Sequence, residues 1–260
     1  MGAASAPRPV LVTRPAGRGA TLLELLHTAG IQAEHHPLIR LVPGADAELA
    51  AARALLAAGD CTHLVVTSRT VAELLAPVEV APTVEIVAVG EGTAEALRTI
   101  GLTPDLVAAG SGADLVAQMP AAADAASVLF PASSAAARTV PEGLRAKGYL
   151  VRELTAYRPE PLDPPDDVRA GLAAGHYGAL VLTSPMIARR AAALGVHPST
   201  PIVSIGAPTS RAAKAAGLTV SRQAAETTDA ALLTAVQEVL TPAPPTPHLF
   251  HPHSPSPKES

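Results

Sequence analysis

The sequence predicts an α/β protein with mostly parallel sheets and flanking helices, and three observations support that prediction. Several short apolar runs lack in/out alternation, helical segments follow most of them, and one part of the chain repeats another. Runs without alternation are expected where a parallel sheet is covered on both faces. Strands that alternate with helices along the chain favour βαβ units.

The predicted strands are short and rich in Val, Leu and Ile. They are residues 10–13, 63–68, 85–90, 127–133, 179–184 and 201–206. A helix is predicted after the first strand, because Thr21 and Glu24 have the spacing of a capping box and Gly30 marks its end. Thr70 and Glu73 repeat that spacing after the second strand.

An internal repeat relates two parts of the chain. Residues 64–103 align without a gap onto residues 180–219, an offset of 116. The alignment pairs Thr67-Ser68 with Thr183-Ser184, Gly90 with Gly206 and Thr93 with Thr209. A weaker match at an offset of 118 pairs Val10 with Val128, Gly30 with Gly148 and Arg40 with Arg158. Because solenoid repeats have periods of roughly 20–50 residues, this longer repeat predicts two similar lobes.

The composition argues against several classes of function. A net charge of −4, with only two Phe, three Tyr and no Trp, argues against nucleic-acid binding by phosphate contacts or base stacking. No apolar run is long enough to span a membrane, and the first residues lack a secretory apolar core. Cys61, the only cysteine, fits a reducing cytoplasm and is expected to be buried and structural. We therefore expect a cytoplasmic protein without nucleic-acid or membrane partners, and we also expect a monomer.

Common cofactor and metal motifs are absent from the sequence. Gly90 and Gly92 lack the third glycine of a dinucleotide fingerprint, and no phosphate-binding loop or G-x-S-x-G elbow is present. The adjacent His35 and His36 have no metal spacing. Residues 242–260 are rich in Pro and His and predict a disordered tail, which argues against a metal site at His248, His251 and His253.

Polar residues and glycines gather at the ends of the predicted strands. Ligands of open α/β sheets bind at the carboxyl ends of the strands, where helix N–H groups favour carboxylates or phosphates. The candidates for substrate binding are Arg14, Thr67, Ser68, Gly90, Thr93, Ser133, Thr183, Ser184, Gly206 and Thr209. Arg69 and Arg138 add positive charge nearby. The alternative interpretation is that Ser, Thr and Gly here only cap helices and form turns.

The chain resembles the uroporphyrinogen-III synthase family over about residues 9–240. Six segments carry the resemblance through their order and spacing: residues 10–15, 65–71, 87–102, 144–159, 180–190 and 203–218. The resemblance implies two α/β lobes with an active-site cleft between them. It also implies a discontinuous lobe 1 at residues 1–38 and 160–241, a lobe 2 at 42–155, and a two-stranded linker at 37–43 and 154–161.

The resemblance further implies a reaction and the residues that perform it. A lyase of haem biosynthesis would cyclise the linear tetrapyrrole hydroxymethylbilane and invert its D pyrrole ring, without a metal or organic cofactor. Tyr157 matches the tyrosine proposed as general acid in the family, and a phenol holds its proton at pH 7. Thr93, Ser184 and Thr209 occupy positions that matter in the family.

The sequence also departs from the family pattern. Arg69-Thr70-Val71 stands where Asn-Ala-Val is frequent, and Gly92 and the Ala207-Pro208 pair vary the turn between the two copies. These departures leave open which edge binds which carboxylate. Two other functions also stay open: a non-catalytic binder that senses a tetrapyrrole or another polyanion, and a sugar-phosphate enzyme that uses the Thr-Ser strand ends.

Overall fold

The computed structural model describes residues 7–241. Strands and helices alternate along almost all of this range. The predicted fold class, α/β with mostly parallel sheets and flanking helices, is confirmed. The described residues divide into two compact units: unit 1 holds residues 7–38 and 164–241, and unit 2 holds residues 39–163. The predicted tail, with its three histidines, lies outside the described residues.

Unit 1 is a five-stranded sheet in which every neighbouring pair of strands is parallel. Its strands are β1 (Val10–Val12), β2 (Ala33–His35), β9 (Ala179–Leu182), β10 (Ile202–Ser204) and β11 (Arg222–Gln223). Their order across the sheet is β11-β10-β9-β1-β2. The helices are α1 (Ala20–Thr28), α7 (Asp166–Ala174), α8 (Pro185–Leu194), α9 (Ala207–Ala215) and α10 (Asp229–Leu240).

Unit 2 is a six-stranded sheet with one antiparallel edge. Its strands are β3 (Ile39–Pro43), β4 (His63–Val66), β5 (Glu85–Val89), β6 (Leu106–Ala108), β7 (Ser127–Ser133) and β8 (Leu150–Pro161). Their order is β3-β8-β7-β4-β5-β6. The helices are α2 (Asp46–Ala58), α3 (Arg69–Leu75), α4 (Glu91–Thr99), α5 (Gly112–Gln118) and α6 (Thr139–Ala146).

The apolar runs lack alternation because the central strands are buried on both faces. In β4, Leu64 and Val66 pack into one apolar cluster, and Val65 packs into a second cluster with residues of β7. All three side chains are fully buried. Successive strand residues point to opposite faces of a sheet, so a strand covered on both sides needs an apolar residue at every position.

The internal repeat is reproduced in the registers of the two sheets. Val10 pairs with Ala33 in unit 1, and Val128 pairs with Val151 in unit 2, so both partners shift by 118. Leu180 pairs with Ile202, and Leu64 pairs with Ile86, a shift of 116 for both partners. The order β2-β1-β9-β10-β11 therefore matches β8-β7-β4-β5-β6. The copies differ in chain order, and unit 2 adds β3 beyond β8.

Both predicted capping boxes are wrong. Helix α1 begins at Ala20 with Gly19 at its N-cap, so Thr21 lies inside the helix. Helix α3 begins at Arg69, because Ser68 adopts the extended N-cap conformation and its hydroxyl accepts the backbone N–H of Thr70 at 3.2 Å. Strand β4 ends at Val66 rather than at residue 68.

Strand β8 changes its partner along its length. Residues Leu150–Thr155 pair in parallel with β7, and residues Tyr157–Pro161 pair antiparallel with β3. At the change, Tyr157 is the partner of both Ser133 and Pro43, and a register shift follows Ala132. The segments predicted as linker strands lie largely in β3 and β8. Their role as a linker stays a prediction.

Gly44 allows the chain beyond β3 to lie directly against β8. Its N–H donates to the Ala156 carbonyl oxygen at 2.7 Å. A Cβ atom at this position would lie 2.1 Å from the Thr155 carbonyl oxygen, a distance that no non-bonded carbon tolerates. The approach therefore requires glycine.

Gly44→Ala is expected to destabilise the protein by about 1–3 kcal/mol, because the backbone of β8 must move to admit the methyl group. Urea unfolding measures the change. Gly206→Ala is the matched control, because a Cβ there would meet only Thr227 Cγ2 at 3.5 Å. Equal stability of the Gly44→Ala variant and wild type would contradict this prediction, because it would mean that the backbone of β8 moves away without a cost in stability.

Candidate active site

The carboxyl edge of the unit 2 sheet brings together several of the predicted site residues. Thr67 and Ser68 follow β4, Gly90 follows β5, Ser133 ends β7, and Tyr157 lies on β8. Because β8, β7, β4 and β5 are neighbours in that order, these residues occupy successive positions along one edge. Ligands bind outside such carboxyl ends in open α/β sheets.

Tyr157 and Ser68 are in direct contact at this edge. The Tyr157 Oη and Ser68 Oγ atoms are 3.3 Å apart. The phenol side chain is half-buried and packs against the apolar cluster that contains Leu64. Its backbone is fixed as well, because the Tyr157 carbonyl oxygen accepts the Ser134 N–H at 2.9 Å. The Ser133 hydroxyl is engaged locally, accepting the Ala135 N–H at 3.2 Å.

The turn at Gly90 requires glycine. Its φ of 74° and ψ of 149° lie in a region that is essentially restricted to glycine. This conformation starts α4, and the Thr93 N–H donates to the Gly90 carbonyl oxygen at 3.1 Å. Thr93 is buried in the first turn. The start of α4 therefore depends on the backbone freedom of glycine at this position.

Arg69 covers the first turn of α4. A Cβ atom on Gly92 would lie 2.8 Å from the Arg69 Nη2 atom, so the guanidinium lies against the glycine backbone. Glu91 and Glu95, on the same helix, pair with Arg98 instead. Among residues 7–241 no ion pair of Arg69 is found. Arg69 therefore brings positive charge to the start of α4.

Two of the arginines considered for anion binding are already engaged by carboxylates. Arg14 Nη2 lies 2.6 Å from Asp229 Oδ1, and both side chains are mostly buried. Arg138 and Arg145 both donate to the Glu153 carboxylate. The hydrogen bond from Arg138 is the main cause that lowers the pKa of Glu153 below its usual value. The role of Arg14 in substrate binding remains a prediction, and its guanidinium is held by Asp229.

The carboxyl edge of the unit 1 sheet contains the other candidates. Ser184 is the N-cap of α8, and its hydroxyl accepts the Ile187 N–H at 3.2 Å. Thr183 is half-buried, and Thr209 is buried in the first turn of α9. Gly206 is extended, with φ 175°, a backbone that any residue adopts. The turns at Gly90 and Gly206 therefore differ, as the Ala207-Pro208 pair indicates.

Some contacts at these edges could not be found by sequence patterns. The His35 ring donates a hydrogen bond to the Arg14 carbonyl oxygen at 2.8 Å and packs against Gly19. In unit 2, Arg53 on α2 donates to the Leu74 and Leu75 carbonyl oxygens at 2.8 and 2.9 Å, closing the end of α3. Only the tertiary fold brings these residues together, and no local motif marks them.

Two sizeable cavities lie at the opposite ends of the strands. One of about 900 Å³ in unit 1 is lined by residues at the start of β1 and β2, including Pro9 and Gln32. One of about 410 Å³ in unit 2 is lined by residues at the start of β7 and β8 and by Cys61. Burial raises the pKa of the Cys61 thiol, which agrees with its expected structural role. Neither cavity contains a predicted site residue.

Two further properties concern the described part of the chain. No group of three or more His, Cys, Asp and Glu residues within 7–241 is arranged to hold a metal ion. The helices in this range are all too short or too polar to cross a membrane.

The fold and these edges define the class: a duplicated α/β protein with polar residues gathered at the carboxyl ends of its parallel strands. The family model described as uroporphyrinogen-III synthase HemD matches residues 20–234. The chain therefore belongs to the uroporphyrinogen-III synthase family. This membership supports a function in tetrapyrrole biosynthesis, because the family is that of an enzyme of haem biosynthesis.

Solved structures of the family have the same fold. A mutant uroporphyrinogen III synthase from the extremely thermophilic bacterium Thermus thermophilus is 19% identical, with a TM-score of 0.60 over 90% of this chain and 98% of that chain. The uroporphyrinogen-III synthetase from Helicobacter pylori is 15% identical, with a TM-score of 0.60 over 89% and 99%. Comparison with curated proteins gives no significant match.

Gly90→Ala is expected to cost about 1–3 kcal/mol of stability, because a Cβ atom disfavours the glycine-only backbone of this turn. No atom blocks a Cβ at Gly90, so backbone conformation alone sets the cost. Gly206→Ala, at the equivalent position of the repeat, is expected to be tolerated. Thermal unfolding of both variants measures the difference, and equal losses would contradict the distinction between the two turns.

Proposed function

We propose that the protein is a uroporphyrinogen-III synthase, which cyclises hydroxymethylbilane and inverts its D pyrrole ring. The observation that carries this proposal is the Tyr157 phenol at the carboxyl edge of unit 2, 3.3 Å from the Ser68 hydroxyl, in a chain of this family. The substrate bears acetate and propionate carboxylates. Hydroxyls and helix N–H groups at the strand ends suit such anions.

In this mechanism Tyr157 is the general acid. Its O–H donates a proton to the terminal hydroxyl of the bilane, the C–O bond breaks, and water leaves. The electrons of the pyrrole stabilise the resulting azafulvene cation. The substituted carbon of the D ring attacks this cation to give a spiro intermediate, which fragments and recloses with inversion and loss of a proton. The protein therefore needs to position the chain and supply one proton.

The other site residues bind and orient the substrate. In unit 2 we assign carboxylate binding to the start of α4, with Gly90 and Thr93, and to Thr67, Ser68 and Ser133. Arg69 supplies the positive charge at that edge. In unit 1 we assign carboxylate binding to Thr183, Ser184, Gly206 and Thr209. Arg14 adds positive charge at the same edge. Each edge thus binds part of the carboxylate set, and no metal or organic cofactor is required by this chemistry.

One assay distinguishes the synthase from a non-catalytic binder. Freshly prepared hydroxymethylbilane is incubated with the protein, and the oxidised porphyrin isomers are resolved by chromatography. We expect the type III isomer, because the bilane closes spontaneously to the symmetric type I isomer without an enzyme. Heat-denatured protein is the control. Type I alone from the folded protein would contradict the proposal and favour the binder.

Tyr157→Phe is expected to lower kcat by about 10²–10⁴-fold, the usual contribution of general-acid catalysis. Removal of the hydroxyl leaves the packing of the ring unchanged. Tyr149→Phe is the matched control, because Tyr149 is a buried core residue of the same unit that packs against His63. Initial rates of type III formation measure both variants. A wild-type rate for Tyr157→Phe would exclude this phenol as the acid.

A further inference from the structure

Ser68 is held rigidly where it meets the Tyr157 phenol. Its hydroxyl oxygen accepts the Thr70 N–H at 3.2 Å as the N-cap of α3. The other end of α3 is fixed by Arg53, which donates to the carbonyl oxygens of Leu74 and Leu75. The position of the Ser68 Oγ atom is therefore set by the fold of unit 2.

The hydrogen-bond inventory of the serine allows either direction for its bond to the phenol, and the proposed role of the phenol selects one of them. A hydroxyl has one proton to donate and two lone pairs, and the Thr70 N–H occupies one lone pair of Ser68. If the phenol is to protonate a substrate oxygen, its own O–H must point at the substrate. Its contact with Ser68 then requires the Ser68 O–H to donate to Tyr157 Oη. Such a donor strengthens the phenol as an acid, because hydrogen bonds in a chain polarise one another.

The internal repeat supplies a comparison for this pair. Ser184, the equivalent of Ser68, also caps its helix, α8, but its hydroxyl accepts the N–H three residues on, that of Ile187, at 3.2 Å. The position equivalent to Tyr157 at an offset of 118 is Ile39, which has no hydroxyl and lies on β3 of unit 2, not in unit 1. The serine cap therefore belongs to both copies, and the repeat gives Ser184 no equivalent of Tyr157.

We infer that Ser68 is a positioning residue for the proposed general acid: it donates a hydrogen bond to Tyr157 Oη and turns the phenolic proton toward the substrate. This inference rests on the proposed function and refines it: the single proton of the Ser68 hydroxyl is donated to Tyr157, so this hydroxyl acts through the phenol and does not donate to a carboxylate. The contact of 3.3 Å is longer than a strong O–H···O bond. Catalytic hydrogen bonds are often long without substrate and shorten in its complex.

A double-mutant cycle on rates tests the inference. Wild type, Ser68→Ala, Tyr157→Phe and the double variant are assayed for kcat and KM of type III formation. We expect Ser68→Ala to lower kcat about five- to tenfold, the effect of losing one hydrogen bond, with KM changed less than about twofold. In the Tyr157→Phe background, the same substitution should change kcat by less than about twofold, because its partner is absent.

Control variants separate this role from helix capping. Ser111 caps α5 in the same unit and accepts the Asp114 N–H, so Ser111→Ala removes a comparable cap and should leave kcat unchanged in both backgrounds. Ser68→Thr keeps the hydroxyl and should restore the rate. Ser68→Gly tests the hydroxyl if the alanine variant folds poorly, because glycine is a good N-cap.

The outcomes separate the failure of this inference from failure of the proposed function. A wild-type protein that forms no type III isomer overturns the proposed function. An active wild type in which Ser68→Ala lowers kcat equally in both backgrounds overturns the positioning role and indicates a structural one. A raised KM with unchanged kcat overturns it as well, because Ser68 then acts only on substrate binding.

Discussion

The change of partner along β8 at Tyr157 is the constraint on which the candidate site depends. Up to Thr155 the strand continues the parallel sheet beside β7, and from Tyr157 onward it pairs antiparallel with β3. Gly44 permits the close approach beside that change, because a side chain there would collide with Thr155. The backbone of Tyr157 is thus fixed by two ladders of strand hydrogen bonds and not by a loop, which gives the fixed geometry that the proposed proton transfer needs.

The two units share one scaffold, and they differ in the residues at the carboxyl edges of their sheets. The two sheets keep the same order and registers, yet the residues at their carboxyl ends differ. Arg69 and Gly92 of unit 2 align with Pro185 and Pro208 of unit 1. A buried register is costly to alter, because a slip of one residue turns every side chain to the wrong face. Edge residues change without that cost, so function follows the site and not the fold.

The sequence predicted the central strands of both sheets because burial on both faces leaves a clear apolar signal, but it missed the short edge strands β2, β6 and β11. It predicted β7 to the residue, at Ser127–Ser133, and the offsets of the repeat recur in the registers of the two sheets. It failed at helix starts, where Thr21 and Thr70 have the spacing of caps but Gly19 and Ser68 occupy that position. The spacing of a capping box alone does not determine which of several neighbouring residues becomes the N-cap of the helix.

Contacts in the candidate site could be predicted only where residues close together in the sequence make them. The pairing of Arg14 with Asp229 and the contact of Ser68 with Tyr157 join residues far apart in sequence.

The chain order of the two units affects how they fold during synthesis on the ribosome. Unit 2 is continuous, whereas β1 needs β9, which emerges only after all of unit 2. At about 5–20 residues per second, the apolar surface of β1 stays uncovered on one side for on the order of ten seconds. Unit 2 can therefore complete its folding before unit 1, and β1 waits for its partner strand β9 while unit 2 is being synthesised.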